Sequence, residues 1–448
     1  MLKLSKFTFN NYEYSTINFF IFPLLTYFII IDYKFYGIAF SIIILIFGFQ
    51  FNSNKIENNI YKILTLFFYF KKFYLGLSTS SKIDWAKSFF GFYDDKYPDF
   101  NNVLYQIKCN FEGDNFFNSS KEIQCPAIDG YGPLIYLVRF DINLDLFLNI
   151  SLLILFSLLI ITYFKLISNF SSWIPIISIL FMSPVVNLII HQFNIDIFII
   201  YAAIFASFNI DKNIFLKAIL ISSFSLIKIH SLGFIIGIVI FSYAKKNQKV
   251  FYTYVFSTIF VLGWTFYDVF FLKSLTNSQR PSGLYNASGL LTLSQNIWIN
   301  YLSFFGQYRD VLIIYLTFII LILGLIFLLK SKYFHISFIR EKEINFLTIS
   351  SIFWLFSVYL YANYDYRNTI LLLITPLLFD NKNKFKSKVI FIFILISPLP
   401  TDINFYILNL FTFLKAACFM YIFSIIIYDI LYFISETFNL KKLRKILN

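Results

Sequence analysis

Residues Phe147 to Leu166 read FLNISLLILFSLLIITYFKL. No acidic residue interrupts them and the only lysine stands near the end. About twenty such residues wound as α-helix span the hydrocarbon core of a bilayer. Runs of this kind recur along nearly all of the 448 residues, at roughly 17–32, 36–51, 60–79, 173–190, 195–209, 214–228, 231–244, 250–272, 311–330, 346–362, 368–380, 388–399 and 405–434. The expected fold is an all-α polytopic membrane protein of about 12–14 transmembrane helices. Residues 1–448 then form a single integral membrane domain.

Composition excludes the main alternatives. The chain is 58% hydrophobic, 22% aromatic and only 14% charged, whereas a soluble domain carries charge on about a quarter of its residues. Its net charge of +13 does not point to nucleic acid, because the basic residues sit in short clusters between apolar runs. They read as topology signals. Placing Lys3/Lys6, Lys245/Lys246/Lys249, Lys330/Lys332/Arg340/Lys342, Lys382/Lys384/Lys386/Lys388 and Lys441/Lys442/Arg444/Lys445 in the cytoplasm puts 80–145, 191–194, 273–310, 363–367 and 400–404 outside. The expected location is the cell membrane, multi-pass, with chemistry on the extracytoplasmic face. No cleavable signal peptide is evident: the first apolar run, from about Ile17, passes into a second after Asp32-Tyr33-Lys34 with no small-residue cleavage site. Two runs fit poorly. Lys71 and Lys72 fall inside 60–79, and 195–209 and 214–228 are short; short broken segments at membrane depth point to a cavity or a site.

The large first extracytoplasmic loop, 80–145, holds ten of the chain's 24 acidic residues against six basic ones. Asp84 follows a span closely. A carboxylate at that boundary can serve as a general base toward a hydroxyl, or it can cap a helix lying on the membrane surface. Cys109 and Cys125 flank a polar stretch of 15 residues in the same loop. In an oxidising compartment a disulfide there contributes roughly 3 kcal/mol, and two free thiols are the alternative. The second outer loop is 273–310, with Arg280, Pro281, Gly283 and Gly289.

Polar residues at the outer ends of spans supply the remaining candidates. Lys228 and His230 lie between two apolar runs, where the ammonium either meets a phosphate or snorkels to the interface. Asn194 and Asp196 open a short span, where Asp196 can be a simple N-cap. Arg367 is an anion ligand or the ion-pair partner of Asp365. His191, His230 and His335 have no metal-ligand spacing, so no metal or other cofactor is expected. There is no phosphate-binding Gly-rich loop, dinucleotide fingerprint or His-Glu-x-x-His, and no row of mid-span carboxylates of the kind proton-driven pumps use.

Four strings in order resemble glycosyltransferase family 87 and related integral-membrane glycosyltransferases of the C superfamily. Tyr131-Gly132-Pro133-Leu134 is similar to that family's Tyr-Pro-Pro-Leu. The stretch Ser183-Pro184-Val185-Val186-Asn187-Leu188-Ile189-Ile190-His191-Gln192-Phe193-Asn194-Ile195-Asp196 is similar to its Ser-Pro-Pro … Gly-Asn-x-Asp. Leu226-Ile227-Lys228-Ile229-His230 falls at its Leu-Lys-x-Tyr/His-Pro, and Asp365-Tyr366-Arg367 at its late Asp-Tyr-Arg. Phe193, Val185 and Ser231 depart from that pattern, standing where the family has glycine, proline and proline.

The resemblance implies transfer of a hexose or pentose, mannose above all, from a polyprenyl-phosphate donor to a glycan or glycolipid acceptor, with inversion. It implies Asp84 as the base, Lys228 and Arg367 as ligands of the donor phosphate, and Tyr131, Asn194, Asp196 and His230 around the substrate cavity. A polymerase of lipid-linked oligosaccharides and a lipid-linked-substrate flippase or transporter are the competing readings. The first would use arginine-rich outer loops, whereas Arg139 is the only arginine in 80–145. The second predicts paired halves, and no internal repeat is visible.

Overall fold

The computed structural model describes residues 55–78, 98–111, 134–135, 138, 140–168, 174–207, 211–267, 287–289, 292–293, 316, 319–321, 323–324, 346–360, 363–374, 384–397 and 405–447. These are mostly helical. The helices are α1 (Lys55–Ser78), α2 (Pro98–Phe111), α3 (Leu144–Ser168), α4 (Ile174–Phe181), α5 (Pro184–Gln192), α6 (Asp196–Ser207), α7 (Ile214–Ile227), α8 (Leu232–Ala244), α9 (Gln248–Tyr267), α10 (Phe346–Leu360), α11 (Lys384–Ile396), α12 (Phe405–Thr437) and α13 (Lys441–Leu447). Two 3₁₀ segments, Ile229–Ser231 and Asp365–Ile374, join them, with a two-residue ladder between β1 (Ala287–Ser288) and β2 (Asn363–Tyr364). Among the described residues three stretches are long and apolar enough to cross a membrane: Leu144–Phe164, Gln248–Tyr267 and Leu410–Thr437. Their outward faces are apolar, with Leu153, Ile161, Phe256, Ile259 and Phe413 all exposed.

Buried apolar side chains form a continuous core from Tyr61 to Ile430. Its closest contact joins α8 to α10. A Cβ on Gly233 would lie 2.6 Å from the Phe353 carbonyl oxygen and the Trp354 Cα, and one on Gly237 would lie 2.5 Å from the Ser350 Cα. Only glycine permits that approach. The four-residue spacing puts both glycines on one face of α8, the small-x-x-x-small device by which apolar helices gain packing energy in lipid.

Two expected spans take a different form. The run 173–190 is not one helix but α4 and α5, broken at Met182-Ser183. Pro184 has no N–H to donate and holds Ser183 extended (φ −66°, ψ 160°), so it starts a new helix instead of continuing the old one. The carbonyls released by the break are satisfied locally. The Tyr69 hydroxyl donates to the Phe181 oxygen at 2.6 Å, and Asn187 Nδ2 donates to the Met182 oxygen at 3.0 Å. Such compensation lets irregular backbone survive among apolar helices. The run 368–380 begins instead as the ten-residue 3₁₀ helix Asp365–Ile374. It packs on α5 and α10, and the Tyr359 hydroxyl donates to Asn368 Oδ1 at 3.0 Å.

Both candidate outer loops reach the same end of the molecule. Within 80–145, α2 turns Phe100, Val103, Leu104 and Ile107 inward, and the Phe100 ring meets Phe193 edge-on at 4.4 Å. Within 273–310, Ala287 and Ser288 pair antiparallel with Tyr364 and Asn363, just ahead of Arg367. At the opposite end of α6, α7 and α8 lie Asp211 and Asn247, joined by a 2.6 Å hydrogen bond.

Candidate functional site

The site begins with a turn that the sequence does not advertise. Helix α5 ends at Phe193, whose φ of 47° and ψ of 45° are left-handed. The Phe193 N–H donates to the Ile190 oxygen (3.1 Å) and the Asn194 N–H to the Ile189 oxygen (3.4 Å), the pairing of a Schellman C-cap, where glycine is usual. A left-handed non-glycine residue costs about 1–2 kcal/mol. Here Phe193 is fully buried, packed against Phe100 and Phe198, and that packing outweighs the strain. Phe193→Gly relieves the backbone but opens a cavity worth about 3–5 kcal/mol. The expected result is a net loss of about 2 kcal/mol, read as a lower midpoint of thermal unfolding in detergent.

The turn sets the start of α6. Asn194 Oδ1 accepts the Asp196 backbone N–H at 3.0 Å, so Asn194 caps the helix and Asp196 does not. The Asp196 carboxylate is instead fully buried and gathers three basic side chains. Lys228 Nζ lies 3.3 Å from its Oδ1, His230 Nε2 3.0 Å from the same oxygen, and Arg367 Nε 2.8 Å from Oδ2. Lys228 also donates to Asn194 Oδ1 at 2.6 Å. It is only 3% exposed, so it does not snorkel, and Arg367 pairs with a carboxylate 171 residues away. Buried charges persist only when paired and hydrogen-bonded, and the positive end of the α6 dipole adds to the stabilisation of the carboxylate. Asp196 thus holds Lys228, His230 and Arg367 within one small volume.

The backbone around the cations is held from α10. The α7 helix stops at Ile227, and Lys228 is extended (φ −137°, ψ 107°) before the 3₁₀ turn 229–231. The Ser231 hydroxyl lies 2.8 Å from the Lys228 oxygen and 2.9 Å from Ser225 Oγ. The Ser357 hydroxyl bridges the carbonyls of His230 (2.8 Å) and Trp354 (2.7 Å), and the Trp354 ring meets the His230 ring edge-on at 5.7 Å. Ser231 thus supports the turn where the resembling family has proline.

Asn194, Asp196, Lys228, His230 and Arg367 therefore converge, although they come from three separate parts of the chain. Asp84, Tyr131 and Cys125 lie outside the described residues. Cys109 is disulfide-bonded, and Cys418 is free and buried in α12. Sequence reading did not single out Trp354, Ser357, Gly233 or Gly237. For the glycines the signal was present as Gly233-x-x-x-Gly237; for Trp354 and Ser357, inside a run that reads as one more apolar span with scattered Ser and Thr, there was none. Among the described residues no group of His, Cys, Asp and Glu could hold a metal ion. No family model, curated protein or solved structure matches this chain.

Proposed function

We propose that this protein is a membrane glycosyltransferase that takes a sugar from a polyprenyl-phosphate donor at the extracytoplasmic face. The observation that carries the reading is the gathering of Lys228, His230 and Arg367 around Asp196, at the end of the helix bundle where α2 of the first loop and β1 of the second pack. A sugar phosphate ester develops negative charge on its leaving oxygens, and fixed cations in a water-poor site stabilise that charge. In the reaction, Asp84 accepts the acceptor's hydroxyl proton. The oxygen then bonds to the anomeric carbon with inversion. The bond from that carbon to the phosphate oxygen breaks, and polyprenyl phosphate leaves with the electron pair, steadied by Lys228 and Arg367. Asp196 holds these two in place between turnovers, while Asn194, His230 and Tyr131 line the cavity. A donor confined to the bilayer accounts for an enzyme built of apolar helices.

Asp84→Asn is expected to abolish transfer from labelled polyprenyl-phosphate sugar without reducing the yield of folded protein. Lys228→Ala should weaken donor binding at least tenfold, given that hydrogen bonds to charged groups contribute about 1.5–3 kcal/mol. Undiminished transfer by the first variant removes Asp84 from the reaction.

One observation favours a second reading, a carrier of anionic lipid-linked substrates. The α5–α6 and α7–α8 breaks both open at the ion cluster, and discontinuous helices meeting at a charged site also build transporters. Counterflow of a labelled lipid-linked sugar in proteoliposomes, with no new glycosidic bond, would decide for it.

A further inference from the structure

At the end of the bundle away from Asp196, we infer a binding site for an anionic glycerophospholipid headgroup, independent of the chemistry proposed above. Two of the membrane-length helices end there: α9 begins at Gln248 and α12 finishes at Thr437. Between them lies a cavity of about 640 Å³, lined by Lys245, Lys246, Asn247, Gln248, Tyr252 and Glu436 among others. A cavity at the point where membrane-length helices emerge stands at headgroup depth.

Local structure fixes the charges around it. Helix α8 closes with Lys246 in the left-handed region (φ 56°), the Lys246 N–H donating to the Tyr243 oxygen and the Asn247 N–H to the Ser242 oxygen. Helix α12 closes in the same way at Asn439 (φ 52°), with the Leu440 N–H on the Ser435 oxygen. These sharp turns bring two basic segments together. Tyr243 stacks on Phe438 at 5.0 Å, and Arg444 Nε pairs with Glu436 Oε1 at 2.8 Å, folding α13 back over the end of α12. Lys245, Lys246, Lys441, Lys442 and Lys445 are all exposed. Glu436, the acidic lining residue, is already committed to Arg444.

The same surface is apolar as well as basic. Leu440 and Ile446 are 43% and 64% exposed on either side of the α13 lysines. Directly below the cavity, Tyr252, Phe256 and Ile259 of α9 are 65%, 69% and 63% exposed, a track for acyl chains. A soluble anion would use the lysines and leave this track bare; a phospholipid uses both. Basic residues near a membrane surface attract acidic lipid by about 1 kcal/mol each.

The test uses the full-length chain in nanodiscs, with retained lipid read by native mass spectrometry and thermal stability read alongside. Phosphatidylglycerol should be retained and should raise the unfolding midpoint over phosphatidylcholine. Lys245→Gln/Lys246→Gln should weaken phosphatidylglycerol retention about thirtyfold, the equivalent of about 2 kcal/mol, while leaving the midpoint in phosphatidylcholine unchanged. If that variant does not fold, the unmodified chain still decides the matter: its preference should fall between 50 and 500 mM salt as screening shortens. Equal retention of the two lipids, a variant with undiminished preference, a preference indifferent to salt, or the same stabilisation by millimolar inorganic phosphate would each overturn the site.

Discussion

Asp196→Ala is expected to destabilise the folded protein by about 3–5 kcal/mol, the usual consequence of removing one partner from a buried ion pair. Lys228 is 3% exposed and Arg367 16%, so water replaces the carboxylate poorly beside Lys228 and only in part beside Arg367. The loss should appear as a fall in the detergent unfolding midpoint far larger than an exposed charge change would give, since surface pairs contribute at most about 1 kcal/mol. The double variant Asp196→Ala/Lys228→Met should recover part of it, because replacing a buried ion pair by apolar side chains is often neutral. A midpoint unmoved by Asp196→Ala would mean that water or another group compensates the basic side chains in place of this carboxylate.

The second large effect comes from a contact with no charge at all. Gly237→Val or Gly233→Leu puts a side chain where a Cβ alone would already lie 2.5–2.6 Å from the α10 backbone. Backbone cannot rotate aside as a side chain can. Helices α8 and α10 must separate, and the Ser357 bridge to the His230 carbonyl goes with them. We expect a loss of about 3 kcal/mol or more, at the upper end for overpacked interiors. The matched control is Gly263→Ala in α9, where an added Cβ meets nothing within 4 Å. That change should be neutral or stabilising by up to about 1 kcal/mol, through helix propensity alone. Equal tolerance at all three glycines, measured by expression of monodisperse protein, would contradict the close α8–α10 contact.

These two experiments probe features that were unequally visible in the sequence. Lys228, His230, Asp196 and Arg367 could be singled out because a charge among apolar runs is costly and has to be used, and lysine clusters alone put all four at one end of their spans. The partner assignments could not be read. Asp196 looked like a cap and Arg367 like the partner of its neighbour Asp365, since local pairs are all that spacing displays. Interior geometry was hidden for a different reason. When one face of a helix meets protein and the other meets lipid, both are apolar, and the periodicity that marks a buried face in a soluble protein vanishes. That is why 173–190 read as one helix despite Pro184, why Asp365–Ile374 gave no sign of 3₁₀ winding, and why Trp354 was indistinguishable from any lipid-facing aromatic. Phe193 was visible only as a departure from a family pattern; its left-handed backbone explains why a glycine would suit that position.

The pairing of Arg367 with Asp196 spans 171 residues, and this sets an order of assembly during synthesis. Chains are made from the N-terminus, and early parts settle first. His230 and Lys228 emerge soon after Asp196, so a provisional cluster can close while more than a hundred residues are still to be translated. Only when the segment after α10 has been made does the arginine arrive. A nascent chain halted before residue 363 would carry a complete Asp196–Lys228–His230 core with its lid missing. Ribosome stalling near that point, followed by protease challenge, would catch the protein one charge short of its finished form.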